Sequence, residues 1–305
     1  MEFEAFLSHW QATKNVSPQT IRAYRSDLQF FEAFLQQEGT RGIEQVDHGV
    51  INKYIEYMKQ MPNPRFGRTG LSDASISRRL ASLSSYLEFT RATSNHQLHN
   101  PMLDFTRRWS KNDDPKPIEE VDLDRLLSGV TSLRDRFLLT LFVATGLRVS
   151  EMYQLNRDSI TIEEEVGDIG DVRVLGTGEV IGKGNKKRRF FVDYETLRLY
   201  AEYMATRADE TPALFLSERK QRMSVRAMEY TLAAWCRKLS LSHANVHRLR
   251  HSYATRLANA NISSLILKDL MGHTSLSTTQ RYFKLHDTTL ARGYFSAMEF
   301  LRTGS

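Results

Sequence analysis

Four short clusters hold residue types that could bind an anion or move a proton. The first is Ala144-Thr145-Gly146-Leu147-Arg148-Val149-Ser150-Glu151. Gly146 lets the chain turn sharply, and Arg148 emerges where a new helix would begin. Its guanidinium could meet a phosphate there, reinforced by helix N-terminal amides. A plain Arg148–Glu151 pair at i, i+3 accounts for the same residues. The second is Gly182-Lys183-Gly184-Asn185-Lys186-Lys187-Arg188-Arg189, with five cations in seven residues on an expected hairpin turn. A solvated turn is one reading. The other is a β-hairpin entering a nucleic-acid groove, with glycines permitting close approach and lysines neutralising phosphates. The third is His247-Arg248-Leu249-Arg250-His251, preceded by His243. Histidines at i, i+4 and i+8 could suggest a metal. No carboxylate nearby completes a ligand set, and Arg248 and Arg250 would repel a dication. Arginine beside histidine suits an anionic phosphate better. The fourth runs from Leu270 through Gly272-His273 to Tyr282. Gly272 would end one helix and Ser277 cap the next, with Tyr282 in the second turn of that helix. Taken alone, Tyr282 is one of twelve tyrosines and reads as packing, and His273 as a hydrogen-bonded structural histidine.

These clusters need elements to hold them. The first hundred residues read as helices. Ser17-Pro18 starts one, with Ile21, Tyr24, Leu28, Phe31, Phe34 and Leu35 at helical spacing. Val50 to Met61 is a second, ended by Pro62-Asn63-Pro64. Ser72 or Asp73 caps a third, with Ile76, Leu80, Leu83 and Leu87 on one face. A short fourth follows Asn100-Pro101. Residues 107–118, polar and with two prolines, read as a linker. Beyond it come helices at Asp122–Ser128, Leu133–Ala144 and Arg148–Leu155. Four short strands with glycine turns follow: Ser159–Ile162, Asp171–Leu175, Glu179–Ile181 and Arg189–Val192. Helices then resume to the end.

The chain has 305 residues, which favours two domains. Lys and Arg number 42 against 36 Asp and Glu, a net charge of +6. With 41% hydrophobic and 26% charged residues, bulk disorder is excluded. The single cysteine, Cys236, excludes an intrachain disulfide and a cysteine-rich zinc site. The acidic N-terminus shows no signal peptide, and the run Phe137 to Val143 is too short to span a bilayer. The charge alone is weak support for a polyanionic partner.

The order and spacing of the clusters say more than any one of them. Thr-Gly-Leu-Arg-x-Ser-Glu, then Gly-Lys-Gly, then His-x-Leu-Arg-His, then Gly-His, then a tyrosine nine residues on, closely resembles the tyrosine recombinase (phage integrase) family, and its short Xer-like members in particular. The resemblance covers about residues 110–290. Ser17-Pro18-Gln19-Thr20-Ile21-Arg22-Ala23-Tyr24 also resembles that family's core-binding domain.

The resemblance implies a mainly α fold with a small antiparallel sheet: a helical, SAM-like core-binding domain at 1–106, a linker at 107–118, and a mixed α/β catalytic domain at 119–305 ending in a tail helix. It implies catalytic roles for Arg148, Lys183, His247, Arg250, His273 and Tyr282, with Glu151 and His251 supporting them. Arg148 and Arg250 would clamp the non-bridging oxygens of a DNA phosphodiester and stabilise the pentavalent transition state. Tyr282 would attack phosphorus, His247 would take its proton, and His273 would donate a hydrogen bond to a phosphoryl oxygen. Lys183 would protonate the leaving 5′-oxygen. Glu151 would orient Arg148 or His247. The distance from Arg148 to Lys183 is 35 residues, longer than in compact family members, which leaves Lys186 as the alternative acid. Lys186, Lys187, Arg188, Arg22, Arg78 and Arg79 are the further DNA-binding candidates.

The implied intermediate is a 3′-phosphotyrosine that needs neither ATP nor metal nor another cofactor. The implied partners are double-stranded DNA with an inverted-repeat site, a homo- or hetero-tetramer of recombinases joined by the tail helices, and an accessory regulator. The setting is cytoplasmic, on the nucleoid, with no membrane. Two other classes compete. A type IB topoisomerase would use the same chemistry without a partner site. A DNA-binding protein that kept the fold would lack the full set of six residues.

Overall fold

Three helices of the N-terminal part start where a side chain takes an orphan amide. α1 (Phe3–Lys14) packs against α2 (Pro18–Gln37), Ser17 Oγ accepts from Thr20 N at 3.2 Å, and Pro18 opens the first turn of α2. Asp47 caps α3 (His48–Gln60) at 2.9 Å, and Ser72 caps α4 (Asp73–Thr93) at 3.3 Å. The computed structural model describes residues 3–14, 16–40, 42–63, 67–94, 99–103, 116–166, 172–182, 186–242, 244–273, 275–280, 282–283, 295, 298 and 302. The chain divides into two compact units, Met1–Asp114 and Pro115–Ser305.

The first unit buries Phe6, Leu28, Phe31, Ile51, Tyr54, Met58, Ile76 and Leu80 together. Phe31 meets Tyr54 edge-on with centroids 4.7 Å apart. One small feature differs from the sequence reading. Pro62–Asn63 (β1) pairs antiparallel with Arg68–Thr69 (β2), where no strand was expected. After Asn100 residues 101–103 form a turn, with Asn100 Oδ1 accepting from Met102 N, and the rest of the expected fourth helix lies outside the described residues. Most of the expected linker lies outside the described residues. Its last residues, 116–118, pack onto the second unit: Arg248 donates to the Lys116 and Pro117 carbonyls, and Ile118 joins the core.

The second unit is built around α6 (Leu133–Thr145), flanked by α5 (Glu120–Gly129). Phe137, Leu138, Leu139, Leu141 and Phe142 cover a broad face of α6 and are fully buried, as the core-facing side of a helix must be. Gly146 ends it at φ +58, a left-handed cap. α7 (Val149–Gln154) follows at once. The sheet is β3 (Thr161–Val166), β4 (Val172–Ile181) and β5 (Lys187–Val192), antiparallel in that order. Then come α8 (Tyr194–Ala205), α9 (Val225–Lys238), α10 (Val246–Asn259), α11 (Ser264–Met271) and α12 (Leu276–Gln280). The expected tail helix falls almost wholly outside the described residues. Among the described residues no helix is long and apolar enough to cross a membrane.

The sheet corrects one expectation. Gly176-Thr177-Gly178 is not a turn between two strands but the middle of β4, paired with β3 on one side and β5 on the other. The glycines are there because neighbours crowd the backbone. A Cβ on Gly178 would stand 2.3 Å from the Ser159 carbonyl oxygen and 2.4 Å from Phe190 Cζ. One on Gly176 would stand 2.7 Å from Leu197 Cδ2. The length between Arg148 and Lys183 is therefore taken up by one long β3–β4 hairpin. Gly178→Val should lower stability by about 1–3 kcal/mol, the usual penalty of overpacking. Urea denaturation checks this; an unchanged midpoint would mean the strand yields without strain.

Candidate active site

The site starts from one buried carboxylate. Arg148 is the N-cap of α7, and its backbone N–H donates to Glu151 Oε2 at 2.7 Å. Arg148 Nη1 donates to Glu151 Oε1 at 2.8 Å. The i, i+3 pair is thus real, and one amide at the start of α7, that of Arg148, is engaged by Glu151. Glu151 is 1% exposed and reaches beyond its own helix. Arg188 Nη2 on β5 donates to its Oε2 at 2.7 Å, and Arg250 Nη1 on α10 lies 4.0 Å from the same oxygen.

The C-terminus of α11 completes this arrangement. A helix leaves its last carbonyls unpaired and carries partial negative charge there. Three successive carbonyls each take one arginine. Arg188 donates to Leu270, Arg250 to Met271, and Arg148 to Gly272, the last at 3.4 Å. Gly272 sits at φ +59, and a Cβ there would be 2.7 Å from Arg188 Cδ. Arg250 also donates to the Gly146 carbonyl at 2.6 Å.

Three guanidinium groups therefore surround one carboxylate. Burial favours the neutral form of Glu151, but Arg188 and Arg148 outweigh it and hold the carboxyl below its ordinary 4.5. Burial, then repulsion from Arg148 and Arg188, draws Arg250 down to about 9. The excess of cation favours an anion beside Arg148, whose side chain is 31% exposed. A cleft of about 500 Å³ opens there, lined by Arg148, Gly182, Lys186, Arg188, Gly272 and His273.

The proton-carrying groups gather on α10 and on either side of α12. Asn245 Oδ1 caps α10 through Arg248 N at 2.9 Å. His247 is exposed and His251, one turn on, is buried; their Nε2 atoms are 3.2 Å apart. The ring of Tyr282 lies 5.3 Å from that of His251 and 6.4 Å from that of His273, nearly parallel to the latter. His273 Nδ1 bonds Thr279 Oγ1 at 2.8 Å, and Thr279 is fully buried. Sequence reasoning missed Thr279 as a support. Ser275 precedes α12 and bonds Ser277 N, so Ser277 lies inside the helix, and Tyr282 follows its end with Tyr282 N donating to Thr279 O at 3.1 Å.

Arg148, His247, Arg250, His273 and Tyr282 are thus described, in a single unit. Lys183 and His243 lie outside the described residues. On either side of residues 183–185, Gly182 N donates to Lys186 O at 2.8 Å. Gly182 lies against the site: a Cβ there would be 3.3 Å from Glu151 Oε1 and 3.7 Å from Arg148 Nη1. Glu151 orients Arg148 and Arg188.

Of the DNA-binding candidates, Lys186, Lys187 and Arg22 are exposed. Arg188 is not a surface cation: it is 8% exposed and spent on Glu151 and α11. Alternation along β5 was the available signal, because Arg188 shares a face with Phe190 and Val192. Arg79 is drawn inward too, 3.6 Å from the buried Asp27 and stacked 3.9 Å over Phe30. Arg78 pairs with Asp27 while remaining half exposed.

Known proteins share this arrangement of sequence and fold. The family model described as "Phage integrase family" matches residues 117–289, and that described as "Phage integrase, N-terminal SAM-like domain" matches residues 3–93. The chain is 29% identical over 304 residues to the tyrosine recombinase XerC of Escherichia coli O157:H7 (strain EC4115 / EHEC), covering 97% of this chain and 95% of that protein. It is 29% identical over 280 residues to XerC of Actinobacillus succinogenes, covering 89% and 88%. Its fold is similar to that of the XerH site-specific recombinase bound to difH substrate, with TM-score 0.70, 18% identity, and coverage of 96% and 83%. It is also similar to the Tn1549 transposon integrase in complex with a circular intermediate DNA, with TM-score 0.72, 18% identity, and coverage of 97% and 98%.

Glu151→Gln leaves the guanidinium groups without their counter-charge. It should lower stability by about 3–5 kcal/mol at pH 7, as breaking a buried pair does. The folded-state carboxyl titrates below 4.5, so its contribution is complete above that pH and is lost as pH falls through the folded value. Denaturation across a pH series should show wild type and variant converging in acid. A gap that stays constant would remove Glu151 from the role of counter-ion.

Proposed function

The chain belongs to the phage integrase family and is a tyrosine site-specific recombinase, and we propose that Tyr282 is the nucleophile with which it cuts double-stranded DNA. The observation that carries this reading is the cluster of Arg148, Arg188 and Arg250 around the single carboxylate of Glu151. A DNA phosphodiester is an anion that repels nucleophiles, and such a cluster both binds it and stabilises the added charge of a pentavalent transition state. Arg148 and Arg250 hold the non-bridging oxygens, while Arg188 keeps Glu151 in place.

The bond from Tyr282 Oη to phosphorus forms as the bond from phosphorus to the 5′-oxygen breaks. The phenol proton goes to His247, and the 5′-oxygen receives a proton from Lys183, or from Lys186 if the turn presents that residue instead. His273, with Nδ1 bonded to Thr279, donates from its other ring nitrogen to a phosphoryl oxygen. The product is a 3′-phosphotyrosine. Attack by a second 5′-hydroxyl reverses the step and rejoins the strand without ATP or metal. Exposed Lys186 and Lys187 contact phosphates of a double-stranded, inverted-repeat site, and Arg22 does so in the core-binding domain, in a division at 1–106, 107–118 and 119–305. Recombination then joins two sites within a homo- or hetero-tetramer, under an accessory regulator, in the cytoplasm. XerH and the Tn1549 integrase, each described with DNA, support a DNA partner.

Incubation with nicked duplexes made from genomic fragments should trap a covalent adduct, whose sequenced DNA reads out the site. Tyr282→Phe should abolish it, and Arg148→Ala or Arg250→Ala should slow it by about 10²–10³-fold, as loss of one transition-state donor does. Adduct formed equally by Tyr282→Phe would reject the nucleophile. Replacing the 5′-oxygen by sulfur supplies a leaving group that needs no proton, so it should rescue Lys183→Ala and not Lys186→Ala. The reverse pattern would move the acid to Lys186.

A further inference from the structure

The first unit has a charged cluster of its own. Asp27 lies on α2, and its side chain is 0% exposed. Two consecutive residues of α4 reach it. Arg78 Nη1 donates to Asp27 Oδ2, and Arg79 Nη1 lies 3.6 Å from Oδ1. Ser82, one turn further along α4, has its Oγ 3.3 Å from Oδ2. The two arginines part from there. Arg79 turns inward, with its side chain 15% exposed and its guanidinium over the Phe30 ring. Arg78 stays 50% exposed, with one nitrogen fixed on the carboxylate.

Such a cluster does little for stability. Burial raises the Asp27 carboxyl above its ordinary value, against the pull of Arg78 and Arg79. Asp27 Oδ1, Arg79 Nε and Arg79 Nη1 are buried without a hydrogen bond. A buried ion pair left partly unsatisfied recovers little of its desolvation cost. What it supplies is geometry. A free arginine loses side-chain entropy when it grips a ligand, and one already fixed at one edge loses less. Two guanidinium groups on one carboxylate also leave a surplus of positive charge, with the negative charge shut inside. The surroundings suit a polyanion. From 18 to 31 on α2 and from 74 to 87 on α4, the only acid is Asp27. Arg78 is flanked on α4 by the exposed Ala74 and Ala81, too small to hold a broad surface away from it. The second unit repeats the construction: Glu151 is buried, Arg188 turns inward and Arg148 is partly exposed.

We propose that Arg78 binds a backbone phosphate of double-stranded DNA and that Asp27 is its positioning residue: the buried carboxylate holds the inner edge of the guanidinium and leaves the outer edge to a phosphate oxygen. Arg79 balances the carboxylate from inside. This rests on the reading of double-stranded DNA as the partner of the chain. The contact is to phosphate and not to a base, so it serves any sequence alike.

Binding of the full chain to a labelled random-sequence duplex across a salt series, in mildly alkaline buffer, reads this contact. Arg78→Gln keeps a donor for Asp27 and removes the charge. It should weaken binding by about tenfold and reduce the slope of log affinity against log salt by about one. Asp27→Asn makes the chain more positive, which by charge alone would tighten binding. It should instead weaken binding by about threefold, the cost of ordering one long side chain afresh. The same substitution should have no such effect when Arg78→Gln is already present. Thermal denaturation shows which variants are folded. An Arg78→Gln protein with wild-type affinity and salt slope would overturn the proposal, whether or not Asp27→Asn folds. So would a folded Asp27→Asn protein that binds as tightly as wild type or more tightly, or one that loses affinity equally with and without Arg78. Failure of the wider reading looks different: the wild-type chain would then show no salt-dependent binding to the duplex.

Discussion

Glu151 is the only carboxylate in contact with three guanidinium groups among the described residues, and the catalytic unit is organised around it. Arg148, Arg188 and Arg250 come from a helix start, a strand and a helix. Without compensation, three such cations this close would push their elements apart. Glu151 supplies one full charge, and the last carbonyls of α11 supply partial charges that fall off within a turn. Both must be in place together. That requirement accounts for two glycines: Gly146 turns α6 into α7 so that Arg148 arrives as an N-cap, and Gly272 ends α11 with no Cβ to displace Arg188. It also accounts for the register of β5, which turns Arg188 inward.

The site separates two physical tasks. Charge is held on one side, by α7, β5 and the end of α11. Proton-bearing rings are held on the other, by α10 and the segment after α12. Arg250 and His251 are adjacent on α10, so the two sides meet on one rigid helix. A helix is a sound base for this, because its packed face leaves little freedom to the side chains it presents. Thr279 plays a similar part for His273, fixing the ring through Nδ1.

Much of this architecture was legible residue by residue. Ser17-Pro18, Ser72 and Gly146 are local signals, and each acts where its chemistry says it should, because capping depends on three or four neighbouring residues. Gly176 and Gly178 misled for the opposite reason. Glycine between two β runs ordinarily marks a turn, but here it marks close approach by Ser159, Phe190 and Leu197, and nothing local announces those neighbours. Arg188 was legible and overlooked: the density of charge in 183–189 concealed the alternation that groups it with Phe190 and Val192.

The sequence by itself determined the order Arg148, Lys183, His247, Arg250, His273, Tyr282, and with it the family, since residue type and spacing are properties of the chain. It also determined where the main helices begin and end, through contacts within one turn. Only the tertiary structure decided which cations are free to meet a ligand and which are spent inside. Arg148 meets Gly272 across 124 positions, and Arg188 meets Leu270 across 82. A guanidinium has the same formula at the surface and in the interior. Its role depends on the carboxylate, carbonyl or solvent within a few ångströms, and distant segments of chain decide which of these it finds.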